Sequence, residues 1–166
     1  MKVSFVVRGA RVPEVSASAP SMFNSNRQSL RLIRLRQAAA AAMRGRPPFS
    51  VPVQLSLAVQ TGPHGDTDHL ISGVYNGIQA ATSTTRLNIM WGAPEHAAYH
   101  PRRCIIVTDD ELIVGGRQDI LEEPAGGVTN WWYAVAVATM EEPPDLPGWW
   151  KELVYGRAEN LRALRR

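Results

Sequence analysis

The sequence predicts an α/β protein: one mixed sheet with covering helices, folded as a single domain. Three observations predict it. Apolar residues alternate with a period of two at 51–59 and again at 131–137. Helical patterns over "RQSLRLIRLRQAAAAAM" and from about His69 to Ala81 lie between strand-like runs. Clusters of Gly and Pro punctuate these segments. Strands interleaved with helices are the pattern of a sheet that buries its faces under helices. A length of 166 residues suits one domain with a substantial core.

The elements follow in order. "KVSFVVRG" is β-branched and aromatic, and reads as a first strand. "ARVPEVSASAPSMFNSN" is a long loop rich in Pro, Ser and Asn, a length that marks candidate binding loops. The clearest helix comes next. Asn24, Ser25 or Asn26 can cap it, Gly45 ends it, and Pro47 forbids continuation. Arg27, Arg31 and Arg34 share one face at i, i+4, i+7, with Leu30 and Ile33 expected on another. "VPVQLSLAV" is a half-buried strand, and "TGPHG" turns the chain into the second helix. "RLNIMW" reads as a short strand. "CIIVTDDELIVGGR" is an apolar run interrupted by an acidic pair, and "GGVTNWWYAVAVATMEE" is a long strand. After the "PPDLPG" breaker, "WWKELVYGRAENLRALRR" is a terminal amphipathic helix. Trp149 and Trp150 would pin it to the core.

Composition narrows the function classes. The hydrophobic share of 45% and the charged share of 20% are those of an ordinary globular chain. Charge is unevenly placed: residues 1–46 carry Lys2, Arg8, Arg11, Arg27, Arg31, Arg34, Arg36, Arg44 and Arg46 against one acid, Glu14. A basic half with acids concentrated later points to an anionic partner, nucleic acid first, against the plainer alternative of a solvated basic face. The single cysteine, Cys104, excludes an internal disulfide framework and suits a reducing compartment; the expected location is cytoplasmic. The first residues have too short an apolar run for a signal peptide, and no segment is long enough to span a bilayer, so no membrane partner is expected.

"GDTDHLISGVYNGI" carries the sharpest chemistry. Asp66 and Asp68 stand between a core strand and a helix, and Asp109 with Asp110 interrupts a later apolar run. If the two strands are neighbours, these carboxylates converge, and a bound cation relieves their repulsion. All-oxygen ligands favour Mg²⁺, with Mn²⁺ as substitute, over Zn²⁺. Such an ion can activate water for attack on phosphorus. The alternative is local: Asp68 is a good N-cap, Asp66 fits a turn, and Asp109-Asp110-Glu111 opens another. His96 and His100 have i, i+4 spacing but no third ligand in a familiar pattern, and read as loop residues. His64 and His69 flank the aspartate pair.

The arrangement resembles the RusA-type Holliday junction resolvase family. "GDTDHLISGVYNGI" stands where that family has a D-x-D-N-L segment opening a helix, and "VTDDELIVGGR" where it has an acidic pair. "NWWYAVAVATMEE" is similar to its closing strand. The resemblance runs from about Lys2 to Glu142. It implies a RusA-like endonuclease domain over 1–142, with an insertion at about 82–103 and a C-terminal helical extension over 143–166. It also implies a homodimer that resolves four-way or other branched DNA with Mg²⁺. Asp66, Asp68 and Asp110 would be the catalytic metal ligands, with Asp109 beside them. Arg27, Arg31, Arg34 and His69 would contact DNA, the arginines through backbone phosphates. Two departures matter: the family's Asn after the second aspartate is His69, and its lysine one turn on is Ser72. Loss of that positive charge weakens transition-state stabilisation. Arg86, Arg102 or Arg103 would have to replace it. A binding or interaction protein on the same fold, with impaired catalysis, is the rival expectation.

Overall fold

The computed structural model describes residues 1–15, 22–61, 67–122 and 132–142. The strands are β1 (Lys2–Arg8), β2 (Val53–Thr61), β3 (Ile113–Glu122) and β4 (Trp132–Thr139); the helices are α1 (Asn26–Met43) and α2 (Thr67–Ile78). The sheet is mixed, in the order β1-β4-β2-β3. β4 pairs antiparallel with both β1 and β2, whereas β2 and β3 run parallel. Parallel neighbours need a crossover. α2 and the segment after it provide one here.

β1 is an edge strand: Val3, Phe5 and Val7 face inward and alternate with partly exposed residues. The central strands are covered on both sides. Val53, Leu55, Leu57 and Val59 join Tyr133, Val135 and Val137 in the core, as the alternation at 51–59 predicts. The opposite face carries small residues, Ser56, Ala58, Ala134, Ala136 and Ala138, and is also closed to solvent.

α1 begins as its sequence predicts. The Ser25 hydroxyl accepts from Gln28 N, capping the first turn. At the other end the left-handed position falls on Arg44 (φ 50°) as well as Gly45 (φ 75°). Arg46 satisfies the free carbonyls there, donating to Met43 O and Ala42 O. The buried side is Leu32, Leu35, Ala39 and Met43, but it also holds Arg31 and Arg36. Leu30, expected on another face from the arginines, is 58% exposed. The arginine stripe is therefore split between interior and solvent.

α2 packs tightly on what lies beneath it. A Cβ at Gly73 would fall 1.8 Å from Pro13 O, and one at Gly77 would meet the Leu32 and Leu35 side chains at 2.8 and 2.5 Å. Only glycine allows backbones this close.

The segment 82–103 differs from expectation. "RLNIMW" forms no strand; Ile89–Gly92 and Pro94–Tyr99 are 3₁₀ turns. The Asn88 side chain caps the first by accepting from Met90 N. Trp91 is buried with its indole N–H on Phe23 O, so its side chain anchors the segment to the start of α1 instead of a sheet. Arg36 supplies the second anchor. Its guanidinium donates to Tyr99 O, Gly77 O, Gln79 O, His100 O and Arg103 O. All five N–H groups are used, joining α1, the carboxyl end of α2 and the segment. In "CIIV" Cys104 is exposed, while Ile105, Ile106 and Val107 are buried but irregular, with one parallel bridge between Val107 and Phe49. The strand proper begins after the acidic pair. A bulge at its start, with Gly115 opposite Gln54 where Ile113 faces Val53, leaves Val114 outside the pairing.

The expected terminal helix, with Trp149 and Trp150, lies outside the described residues. Among the described residues no helix is long and apolar enough to cross a membrane.

Candidate nucleic-acid interface

Parallel pairing of β2 and β3 decides where the acidic groups stand. The ladder runs in register from Val53 opposite Ile113 to Thr61 opposite Glu122. At 3.3 Å per residue it is roughly 26 Å long. Asp109 and Asp110 precede β3, so they stand at its amino end. Two bonds hold that end: Thr108 N donates to Phe49 O, and Phe49 N to Ile106 O. Phe49 itself leads into β2.

Asp68 belongs to the other end. It lies in the first turn of α2, after the carboxyl end of β2. The next residue, His69, accepts from Val15 N through its carbonyl. Residues 12–15 follow the carboxyl end of β1, whose Val7 shares Tyr133 as a cross-strand neighbour with Val59. One chain therefore does not bring Asp109 and Asp110 to Asp68. Asp66 lies outside the described residues.

Asp109 has a local role. Its carboxylate accepts from Glu111 N at 3.1 Å, capping the short 3₁₀ turn Asp110–Leu112 that enters β3. This is the turn-opening alternative weighed for the acidic pair. Among the described residues, no group of three or more His, Cys, Asp or Glu is placed to hold a metal ion. Asp109 and Asp110 therefore stand apart from Asp68 along the chain's own sheet.

An open groove of about 550 Å³ lies at the Asp68 end. The first turn of α1 forms one wall with Ser25, Arg27 and Gln28; His69 and Asn76 of α2 form another; Thr82 and Thr85 close it. Two sequence candidates, Arg27 and His69, thus meet in one concavity. Its polar lining is built by local bonds. Gln28 Oε1 accepts from Glu14 N, Asn76 Nδ2 donates to Ser72 O, and the Thr82 hydroxyl contacts those of Thr84 and Thr85.

The three stripe arginines have different fates. Arg27 and Arg34 are exposed. Arg31 is buried, and its guanidinium donates to Val12 O at 3.1 Å and to the Glu14 carboxylate at 3.0 Å. Burial lowers the Arg31 pKa, partly countered by Glu14. Arg31 is thus a structural tie between α1 and the loop after β1, with its guanidinium turned to these partners and not to solvent. Two of the expected substitutes for the missing lysine are bonded within the segment 82–103. Arg102 donates to Thr85 O and Arg103 to Ala97 O, while Arg103 O meets Arg36 near the carboxyl end of α2. Ser72 sits at the middle of α2.

Of the histidine pair, His96 is tied to Met90 O and stacks edge-on against Trp91, so it is a packing residue. Sequence reasoning missed Gln28, Asn76 and the threonines. Polar residues at such spacing carry no signal until two helices converge on them. No family model, curated protein or solved structure matches this chain.

Proposed function

We propose that this protein binds the phosphate backbone of nucleic acid, with branched DNA the preferred partner, through the groove and the solvent face of α1. The observation that carries this reading is the juxtaposition of exposed Arg27 with a groove rich in hydrogen-bonding groups, continued along α1 by exposed Arg34. Cations on a rigid helix grip phosphates without reading sequence. The test is binding of a labelled four-way junction and a matched duplex across a salt series in EDTA. Junction binding that weakens steeply with salt is expected. Absence of binding at low salt defeats the reading.

Cleavage is the second reading, and one observation favours it. The D-x-D element that resembles RusA-type resolvases leads into α2, whose His69 lines the groove. The RusA-like homodimer, with Mg²⁺ held at Asp66 and Asp68, belongs to this reading. Mg²⁺-dependent cutting of the junction that is lost in Asp66→Asn and Asp68→Asn, with binding retained, supports it. No cutting in Mg²⁺ or Mn²⁺ leaves a pure binding protein. Asp110→Asn discriminates further: normal cutting by that variant confines the chemistry to the Asp68 end.

A further inference from the structure

Ile89 is 93% exposed, the most exposed of the large apolar residues on the described surface. Such a residue normally sits on a loose loop, yet this one is mounted rigidly. Asn88 before it accepts from Met90 N and donates to Asn24 O and to Asn26 Oδ1. Trp91 after it is buried and bonded to Phe23 O. His96 contacts Met90 O at 2.8 Å. The turn is therefore fastened on both sides of Ile89 while the Ile89 side chain points at solvent.

Exposed cations lie on the elements joined to this turn, with Glu95 the exposed acid that follows it. Asn26, to which Asn88 is bonded, precedes Arg27 of the groove. On the same helix face, at i+4 spacing, Asn26 is followed by Leu30 and Leu30 by Arg34, both exposed. On the other side, Arg86 is exposed and Arg102 is bonded to Thr85 O. An anchored apolar tip, three residues after exposed Arg86 and bonded through Asn88 to the residue before Arg27, is poorly suited to water. It matches the chemistry of side chains that enter between base pairs while flanking cations hold the phosphates.

We infer that Ile89 is a wedge that inserts into unstacked base steps at the branch point of bound DNA. The inference rests on the nucleic-acid reading above and makes the segment 82–103 the element that distinguishes branched DNA from continuous duplex. An inserted tip is favoured where stacking is already broken, because little unstacking remains to be done.

The test uses a four-way junction carrying 2-aminopurine at the branch point. Full-length protein should raise the fluorescence of the probe by unstacking it. Ile89→Ala should abolish most of that rise and weaken junction binding about tenfold, the scale of one lost base-stacking contact. Duplex binding should stay within about twofold, since phosphate contacts are intact. Ile89→Phe should restore the signal. Thermal melts of both variants should match the parent, as expected for an exposed site. Junction binding and fluorescence unchanged in Ile89→Ala overturn the wedge alone. An equal loss of duplex and junction binding also overturns it. A parent protein that binds neither DNA refutes the groove reading and the wedge together.

Discussion

Helix α1 holds the same residue type in opposite circumstances. Arg31 and Arg36 are buried and bonded to backbone carbonyls, with Glu14 as the one carboxylate among their partners. Arg27 and Arg34, four and two residues away from those two, stand in solvent. A helical wheel drawn from sequence assigns arginine to the surface by default. The interior pair shows that a guanidinium is also a construction element: planar, with five donors, and able to join chain segments that have spare carbonyls. Burial lowers the Arg36 pKa to about 10, so the group keeps its charge at neutral pH and the carbonyl dipoles must compensate it.

Substitutions can break this contrast at its strongest point first. Arg36→Met should destabilise the fold by about 3–5 kcal/mol, because five buried carbonyls lose their donors at once. Denaturant unfolding at neutral pH measures it. A loss below about 1 kcal/mol would mean that the segment 82–103 is held by Trp91 alone. Arg31→Met should cost about 1–2 kcal/mol, since its carboxylate partner is 40% exposed and water can replace the pair. The same variant should leave the salt dependence of DNA binding unchanged. A slope reduced by about one phosphate contact would put Arg31 back in the interface.

The exposed face gives the reverse pattern. Arg27→Ala combined with Arg34→Ala should leave stability within about 0.5 kcal/mol, yet lower the salt slope of junction binding by about two. Parallel titrations and melts on one preparation separate the two outcomes.

The smallest effect is expected at His100. Its pKa is lowered by desolvation and by the nearby Arg102, Arg36 and Arg103 charges, so the folded state favours the neutral ring. Arg102 N donates to the Nδ1 of that ring. The stability this provides is complete above the ordinary histidine value of about 6.5 and is lost as pH falls below it. His100→Gln should therefore lose less stability than the parent between pH 7.5 and 5.5, by a few tenths of a degree to a few degrees in Tm. Parallel pH profiles would contradict the repulsion.

The central features were legible because their signals are local. The capping Ser25, the alternation Val53 to Val59, and the helical pattern of α2 follow from short-range geometry. "RLNIMW" misled because β-branched and aromatic residues also suit a capped turn pinned by a tryptophan. "CIIV" misled because a buried apolar run need not pair as a strand. The separation of Asp68 from Asp109 and Asp110 was hidden for a different reason. Two carboxylate pairs on adjacent strands converge only if both lie at the same end of the sheet. β2 and β3 are parallel; Asp68 follows the carboxyl end of one, and Asp110 precedes the amino end of the other.

Sequence by itself determined the class of this protein: an α/β chain with a basic amino-terminal half, strands whose apolar side chains repeat every second residue, and helices with identifiable caps. These depend on contacts between residues a few positions apart, which a linear chain displays. Tertiary structure alone decided which arginines face inward, that Ile89 is held out to solvent, and that Asp68 and the Asp109–Asp110 pair stand at opposite ends of one ladder. Those outcomes depend on strand direction and on which distant carbonyls need donors, and neither is encoded within a window of neighbouring residues.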